Sequence, residues 1–333
     1  MSGYRFDELS GSWIVIADAR RGLPMDPSLA RVPEPAVTDA SRCPFCPGRE
    51  SETEETIAQM TNDRGEWLVR VVGNRFPSVM RDARIGSAAP GGDERAATGA
   101  HEVLVEAREH DLDLADLDDA QATRVLRMYR DRYAALECET GFGAVNLFRN
   151  RGRRAGSSQS HPHAQAMATS IVPNAIATRF ALAAAFADEH RGGAILDRLV
   201  EREREAGVRI IESSDAFDVV CPFAPHRAYE TWIVPRARHA AISECSDADL
   251  EHLAPALTRT LRRLRAATRG AAYNLLFRHP PARERASFAR WHIEIAPRTG
   301  GDAGFELLTD TDVVPVSPEA AARELREARP SVR

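Results

Sequence analysis

The sequence contains no lysine, so arginine alone supplies the 44 basic side chains of its 333 residues. The 49 acidic residues outnumber them, and the formal net charge of −5 argues against a general nucleic-acid-binding protein. No apolar run approaches the roughly 20 residues that a membrane-spanning helix needs, so no membrane partner is expected. The N-terminus also has no apolar signal region. We therefore expect a cytoplasmic protein.

Cysteine is scarce, and its count of five is odd and shows no disulfide-framework pattern. Two of the five form the close pair Cys43-Pro44-Phe45-Cys46. In a reducing compartment such a pair is typical of half a metal site or of a redox centre. Because Pro47-Gly48 follows at once, where a redox motif would open a helix, a metal-binding knuckle is favoured. Two further ligands must then come from elsewhere in the chain.

The predicted elements repeat along the chain. His110 and His163 are followed 129 residues later by His239 and His292, and the flanking strand patterns recur at nearly the same offset. In each half the strands bracket one helix with acidic residues at its start, typical of a helix N-terminus. The repetition indicates an internal duplication. It favours an α+β fold of two repeats, each an antiparallel sheet with helices packed on one side.

The expected boundary between the repeats lies where Pro173 precedes an Ala-rich and Arg-rich segment. We expect the first repeat to occupy residues 1–172. The second repeat is expected to occupy residues 173–333, beginning with a linking helix over about 174–206. The copies have diverged in chemistry, since His161 of the first half is matched by an arginine in the second. The first repeat is therefore expected to carry the chemistry.

Two histidines flank a proline in the segment His161-Pro162-His163-Ala164-Gln165. In an extended strand alternate side chains point to one face, so His161, His163 and Gln165 would share a surface. Four arginines stand among the six residues 149–154, and positive charge beside imidazoles suits a phosphate-bearing substrate. The spacing alone is equally compatible with a surface strand of solvated histidines beside a basic loop.

Together these patterns resemble the galactose-1-phosphate uridylyltransferases, the duplicated branch of the histidine-triad superfamily. The resemblance covers most of the chain. It rests on the order and spacing of Gly11-x-Trp13, Cys43-Pro-Phe-Cys46, Asn74-x-Phe76-Pro77, His101-Glu102-Val103, Asn150-x-Gly152, His161-Pro-His163-x-Gln165, Trp291-His-Ile-Glu294 and Gly304-Phe-Glu306. It implies a homodimeric enzyme that exchanges UMP between a UDP-hexose and a hexose 1-phosphate through a covalent nucleotidyl-histidine.

The resemblance also implies roles for individual residues. His163 would be the nucleophile that attacks the α-phosphorus of the nucleotide sugar, and a neutral imidazole is a good nucleophile at neutral pH. Gln165 would donate a hydrogen bond to a phosphoryl oxygen, where charge develops in the transition state. Further substrate contacts are implied for Arg20, Asn74, Asn150, Ser158 and Glu306.

A structural zinc ion is implied as well, held by Cys43, Cys46, His110 and His161. This would be a closed Cys₂His₂ set that needs no open coordination position. His101 is a competing ligand, but its place at the start of a strand favours a structural role. Some family members bind a second metal ion. None is expected here, because arginines replace its ligands and only His292 remains of the set; these arginines are Arg179, Arg278 and Arg290.

Segment 308–315 departs from the family pattern in a region that helps to read the hexose. One alternative is therefore a nucleotide-sugar phosphorylase that resembles ADP-glucose phosphorylases and uses inorganic phosphate as the acceptor. Another is a non-catalytic nucleotide-binding protein, although a binder would not need the intact His161-Pro-His163 motif. The sequence leaves the nucleobase open between uracil and adenine.

Overall fold

Both halves of the chain contain strands and helices, and the structure, a computed structural model, describes residues 2–22, 39–84 and 94–329. The strands are β1 (Ser2–Asp7), β2 (Ser12–Ala17), β3 (Thr56–Thr61), β4 (Trp67–Gly73), β5 (Gly99–Val105), β6 (Ala144–Arg151), β7 (His163–Thr169), β8 (Ile210–Ser213), β9 (Phe217–Val220), β10 (Thr231–Pro235), β11 (Tyr273–Arg278), β12 (His292–Pro297) and β13 (Val313–Val314). The α-helices are α1 (Asp119–Cys138), α2 (Asn174–Glu189), α3 (Ile195–Ala206), α4 (Asp247–Thr268), α5 (Gly304–Thr309) and α6 (Pro318–Glu327). None of the helices described is long and apolar enough to cross a lipid bilayer.

Ten of the strands form one sheet in the order β3-β4-β5-β7-β6-β11-β12-β10-β9-β8. Every neighbouring pair in it is antiparallel. The order is symmetrical about the junction between β6 and β11, because β6, β7, β5, β4 and β3 of the first half occupy the places of β11, β12, β10, β9 and β8 of the second. The predicted α+β fold of two antiparallel repeats is confirmed. The two five-stranded halves join edge to edge.

The two long helices, α1 and α4, begin where the sequence predicts a helix start. The Asp118 side chain accepts the Gln121 N–H at 2.7 Å, and Ser246 and Asp249 form a reciprocal capping box. Such bonds satisfy backbone donors that have no partner within the helix. The helices pack together on one face of the sheet. There their apolar side chains share a continuous core with those of the central strands.

The opposite face of the sheet is covered differently in the two repeats. In the second repeat, Trp232 and Val234 of β10 pack against α3, whereas Ile233 between them points into the core on the α4 side. In the first repeat, Phe45 from the cysteine-bearing loop packs against Val105 and its neighbours. This face of the first repeat is the one on which the candidate site lies.

The prediction of a single helix over 174–206 is wrong, because α2 and α3 are separate. Arg191 has φ 56° and Gly192 has φ 83°. Both values are left-handed, so the helical hydrogen-bond pattern cannot continue through them. The Gly192-Gly193 pair was the sequence signal for this break.

The strands β1 and β2 form an antiparallel hairpin, and β13 pairs in parallel with β2. His226 ties this small sheet to the second repeat. Its Nδ1 lies 2.7 Å from Asp312 Oδ2 and its Nε2 lies 3.1 Å from Asp7 Oδ2. Burial would lower the pKa of His226, but these two carboxylates raise it to about 10, so the ring is an imidazolium. The predicted boundary at residue 172 stays a prediction.

Candidate active site

His163 stands at the start of β7, with its side chain on the face away from α1. Ala164 and Ala166 point into the core on the α1 side, so His163 and Gln165 share the other face, as the sequence predicts. His163 Nδ1 lies 2.8 Å from the carbonyl oxygen of His161. Because a carbonyl can only accept, Nδ1 carries the proton and Nε2 keeps its lone pair. Burial also lowers the pKa of His163, which favours the neutral ring needed for nucleophilic attack.

A cavity of about 510 Å³ opens beside His163. Its walls come from β6, from the loop between β6 and β7 and from residues 111–116. Gly152 has φ 83° and Gly156 has φ 90°, values that glycine adopts without strain, and they bring this loop back over the site. The lining contains both charges; its charged residues are Asp111, Asp113, Asp116, Arg149, Arg151, Arg153 and Arg265.

Arg149 forms a buried ion network behind His163. Its side chain is 3% exposed, and its Nε lies 2.9 Å from both carboxylate oxygens of Glu106. Its Nη2 lies 3.0 Å from Asp113, and Tyr273 Oη accepts from Nη1 while donating to Asp113. Burial lowers the pKa of Arg149, but Glu106, Tyr273 and Asp113 together outweigh this and raise it. Tyr129 Oη also donates to Glu106. The sequence indicates only a basic loop at these arginines and does not predict this network.

The side-chain amide of Gln165 is oriented by His101. The Ser78 N–H donates to His101 Nδ1 at 3.2 Å, so the ring proton is on Nε2, which donates to Gln165 Oε1 at 2.8 Å. The Gln165 NH₂ group is therefore the one left to donate to a substrate. Asn74 Nδ2 lies 3.2 Å from the same ring. His101 thus contacts the predicted catalytic amide, and the four-residue cysteine and histidine cluster does not include it.

The four predicted metal ligands come together. The ligand atoms of Cys43, Cys46, His110 and His161 all lie within 4.8 Å of one another. Cys46 Sγ is 3.3 Å from His110 Nδ1 and 3.5 Å from His161 Nδ1. His161 Nε2 donates to the Ala107 carbonyl at 2.8 Å, which leaves Nδ1 free as a ligand.

The donor chemistry of this cluster fits a metal ion. Burial lowers the pKa of His161 to about 4, so the ring is neutral, as a ligand must be. Burial and the nearby Cys43 raise the pKa of Cys46 to about 11. A bound cation would reverse that effect and hold the thiols as thiolates. Two sulfur and two imidazole donors would supply all four ligands of a structural metal site.

The remaining predicted substrate residues are divided between the cavity and the surface. Ser158 and Asn150 line the cavity, and Asn150 Oδ1 accepts from Asn274 Nδ2 at 2.8 Å. Arg20 is exposed in the 3₁₀ turn Asp18–Gly22. Glu306 is half-buried in α5, where it accepts the backbone N–H of Ala303 at that helix's start, 3.1 Å away. Neither surface residue lines the cavity, and the substrate roles of all four stay predictions.

Two antiparallel repeats with one intact His-Pro-His segment suit an enzyme of the nucleotidyl-transferring class. A profile of the N-terminal domain of galactose-1-phosphate uridyl transferases matches residues 1–173, more than half of the chain. The chain belongs to this family, and the resemblance drawn from the sequence is confirmed.

Two characterised relatives span nearly all of the chain. ADP-glucose phosphorylase of Arabidopsis thaliana is 28% identical over 97% of this chain and 92% of its own. Galactose-1-phosphate uridylyltransferase of Thermotoga maritima is 25% identical over 98% of each chain. A crystal structure of the Arabidopsis phosphorylase with bound ADP-glucose superposes with a TM-score of 0.84 at 25% identity, covering 99% of both chains.

Proposed function

We propose that this enzyme transfers a nucleoside monophosphate from a nucleotide sugar to a phosphate-bearing acceptor through His163. The main support for this proposal is the hydrogen bond from His163 Nδ1 to the His161 carbonyl, because it fixes the tautomer in which Nε2 is free. Nε2 attacks the α-phosphorus, and the bond from phosphorus to the sugar phosphate breaks to release a hexose 1-phosphate. An acceptor phosphate oxygen then attacks the same phosphorus. The P–N bond breaks, and neutral His163 is restored.

The surrounding residues are assigned to the phosphates and the nucleotide. Gln165 donates its NH₂ group, oriented by His101, to a non-bridging oxygen of the transferred phosphate, where the transition state concentrates charge. Ser158 adds a donor from the loop that lines the cavity. Asn74 and Asn150 contact the nucleotide. Arg20 and Glu306 are proposed as further residues that contact the substrate.

Two acceptors are compatible with this chemistry. With a hexose 1-phosphate the reaction is an exchange of UMP between UDP-hexose and that acceptor, the activity named for the Thermotoga relative. With inorganic phosphate it is a phosphorolysis of a nucleotide sugar, the activity named for the Arabidopsis relative. The second is favoured by one feature of this chain: segment 308–315 forms the end of α5 and the short β13 in place of the family's hexose-reading sequence.

The decisive experiment is a stoichiometric burst. Enzyme mixed with UDP-glucose or ADP-glucose, without acceptor, should release hexose 1-phosphate in an amount no greater than the enzyme present. The protein should then carry an acid-labile, base-stable nucleotide, as a phosphoramidate requires. Adding inorganic phosphate or galactose 1-phosphate should discharge the label, and the effective acceptor separates the two reactions.

His163→Gly should abolish both the burst and the label, with a loss of several orders of magnitude in rate. His190→Gly is the matched control, because His190 is exposed at the end of α2. If His163→Gly still forms a labelled protein, the mechanism is wrong. If neither nucleotide sugar labels the wild type, nucleotide binding without covalent chemistry becomes the better account.

We also infer that the cluster of Cys43, Cys46, His110 and His161 holds a structural zinc ion, since its donors match the preferences of zinc. A cytoplasmic location is supported by the five cysteines, none of which forms a disulfide, as suits a reducing compartment. A homodimer is supported by large apolar side chains that are more than 40% exposed, including Tyr4, Trp13 and Leu308. Light scattering of the purified protein should give twice the chain mass, and a monomer at working concentration contradicts the dimer.

A further inference from the structure

The second repeat contains a small cavity at the place that corresponds to the nucleophile. His292 of β12 occupies the position that His163 occupies in β7. The His292 side chain is nearly inaccessible to solvent, and neither ring nitrogen has a hydrogen-bond partner among the residues described. It lines a cavity of about 70 Å³, whose other polar walls come from Arg179, Arg278, Arg290 and His279. Leaving buried ring nitrogens unpaired is costly, so this arrangement points to a ligand.

The charges around this cavity do not balance. Arg278 makes a bidentate ion pair with Glu294, at 2.7 and 2.9 Å. Arg290 bonds to Asp197 at 2.7 Å. No hydrogen bond or ion pair joins Arg179 to any residue in the described ranges. Three guanidiniums thus face two carboxylates, and one positive charge is left over.

Longer-range interactions do not remove the surplus. Glu294, Asp7 and Glu230 also attract Arg179, but Glu294 is already paired with Arg278, and Asp7 with the His226 imidazolium. Burial raises the pKa of Glu230 to about 7, so its negative charge is incomplete near neutrality. Burial and the adjacent Arg278 lower the pKa of Arg179, as expected for a cation without a counter-ion.

We propose that this cavity binds one small inorganic anion, either a halide or an oxyanion of the size of phosphate. Arg179 would supply the charge and His292 a ring N–H. Burial lowers the pKa of His292 to about 3, so its ring is neutral and offers one donor. A metal cation does not fit, because three guanidiniums repel it. The volume would hold about two water molecules at roughly 30 Å³ each, so water is the competing occupant.

The anion explains why one half of a duplicated enzyme keeps a buried histidine that does no chemistry there. It neutralises the surplus arginine between the sheet and α2, and so it joins these layers through electrostatics. Apolar side chains from α2 and α3 complete the wall and keep the local dielectric low, including Ile176, Phe180 and Leu196. An anion held in such a place stabilises the folded state by mass action.

The test is a thermal-unfolding titration with sodium chloride, sodium bromide or inorganic phosphate, holding ionic strength constant with sodium gluconate. The wild-type melting temperature should rise and saturate with at least one of these anions. Arg179→Gln should remove the saturable rise, and its melting temperature without added anion should be equal to or above that of the wild type. Arg198→Gln removes an exposed arginine of the neighbouring α3 and should respond as the wild type does.

His292→Gln provides a second variant that keeps a polar side chain. It should raise the anion concentration at the midpoint of the titration at least tenfold. A crystal soaked in bromide should show an anomalous peak between Arg179 and His292 if halide is the occupant. A saturable response to phosphate alone that is lost in Arg179→Gln assigns the site to an oxyanion. An unsaturable response, or equal titrations for the wild type and Arg179→Gln, overturns the proposal in favour of water. Phosphate bound as an acceptor beside His163 would stabilise both proteins equally, so the difference between them reports on this cavity alone and stands independently of the reaction proposed for His163.

Discussion

Replacing Arg149 by methionine should destabilise the protein strongly. The substitution keeps the apolar volume but leaves Glu106, which is inaccessible to solvent, and Asp113, which is 8% exposed, without their shared guanidinium. Removing one partner of a buried ion pair costs about 3–5 kcal/mol, because the other charge stays buried. The free energy of unfolding, measured by urea denaturation at pH 7, should fall by about that amount. Arg198→Met, at an exposed site of α3, should change it by less than about 0.5 kcal/mol.

The loss of unfolding free energy in Arg149→Met should become smaller as the pH falls. In the wild type, burial would raise the pKa of Asp113, but Arg149 and Arg151 hold it below its usual range. Without Arg149 the folded-state pKa of Asp113 rises above its unfolded value, because burial is no longer offset by that guanidinium. The destabilisation is then complete at neutral pH and shrinks as the pH falls through that raised value. Adding Glu106→Gln to Arg149→Met should recover part of the stability at pH 7.

The same variant should also alter the chemistry. Arg149 lowers the pKa of His163, whereas Glu106 raises it. With Arg149 gone, the pKa of His163 should rise, and the acid limb of the rate of protein labelling should move to higher pH. Two outcomes refute the reasoning: a loss below about 1 kcal/mol for Arg149→Met, far under the range for buried pairs, or a loss that does not diminish at low pH.

Three further predictions address other sites. Cys43→Ser should lower bound zinc, measured by elemental analysis, from close to one ion per chain to near none, and should reduce stability more than it slows labelling; full activity in metal-free protein would refute the structural zinc. Because His226 has a pKa raised to about 10, its stabilisation should be complete below its unfolded value of about 6.5 and lost as the pH rises through 10. His226→Gln should therefore lower the urea midpoint at pH 6 much more than at pH 10.5, and an equal loss at both would contradict the imidazolium. Gln165→Ala should slow single-turnover labelling by about 10²-fold, because it removes one transition-state hydrogen bond; an unchanged rate would exclude that role.

The sequence predicts the fold of this chain well because its signals are local and occur twice. Capping residues at Asp118 and Ser246 mark the two long helices. The strand patterns between them recur at one offset, so each copy supports the assignment of the other. The Cys43/Cys46 spacing predicts a metal site without structure, but its two histidine ligands required the family resemblance, since they lie far away in the chain.

What the sequence does not predict depends on contacts between distant segments. The ion network of Arg149 joins β6, β11, α1 and the segment between β5 and α1, and its arginine is one of several in a basic run, so nothing local distinguishes it. The edge strands β3 and β8 and the N-terminal strand β1 are short or exposed and have weak hydrophobic patterns. The surplus charge of Arg179 is visible only once the partners of Arg278 and Arg290 are known. Ion pairing across a fold has no periodic signature in a sequence.

The antiparallel pairing of β6 with β11 has a consequence for any attempt to separate the halves. It joins residues 147–151 to residues 273–277 through main-chain hydrogen bonds. If the first repeat were isolated, β6 would become an edge strand. Its N–H and C=O groups that bond to β11 would then have no partner. Such an edge is a template for another strand, and the nearest match in shape is a second copy of β6 running the opposite way. An isolated half should therefore self-associate or precipitate, whereas mixing the two halves should reassemble the sheet.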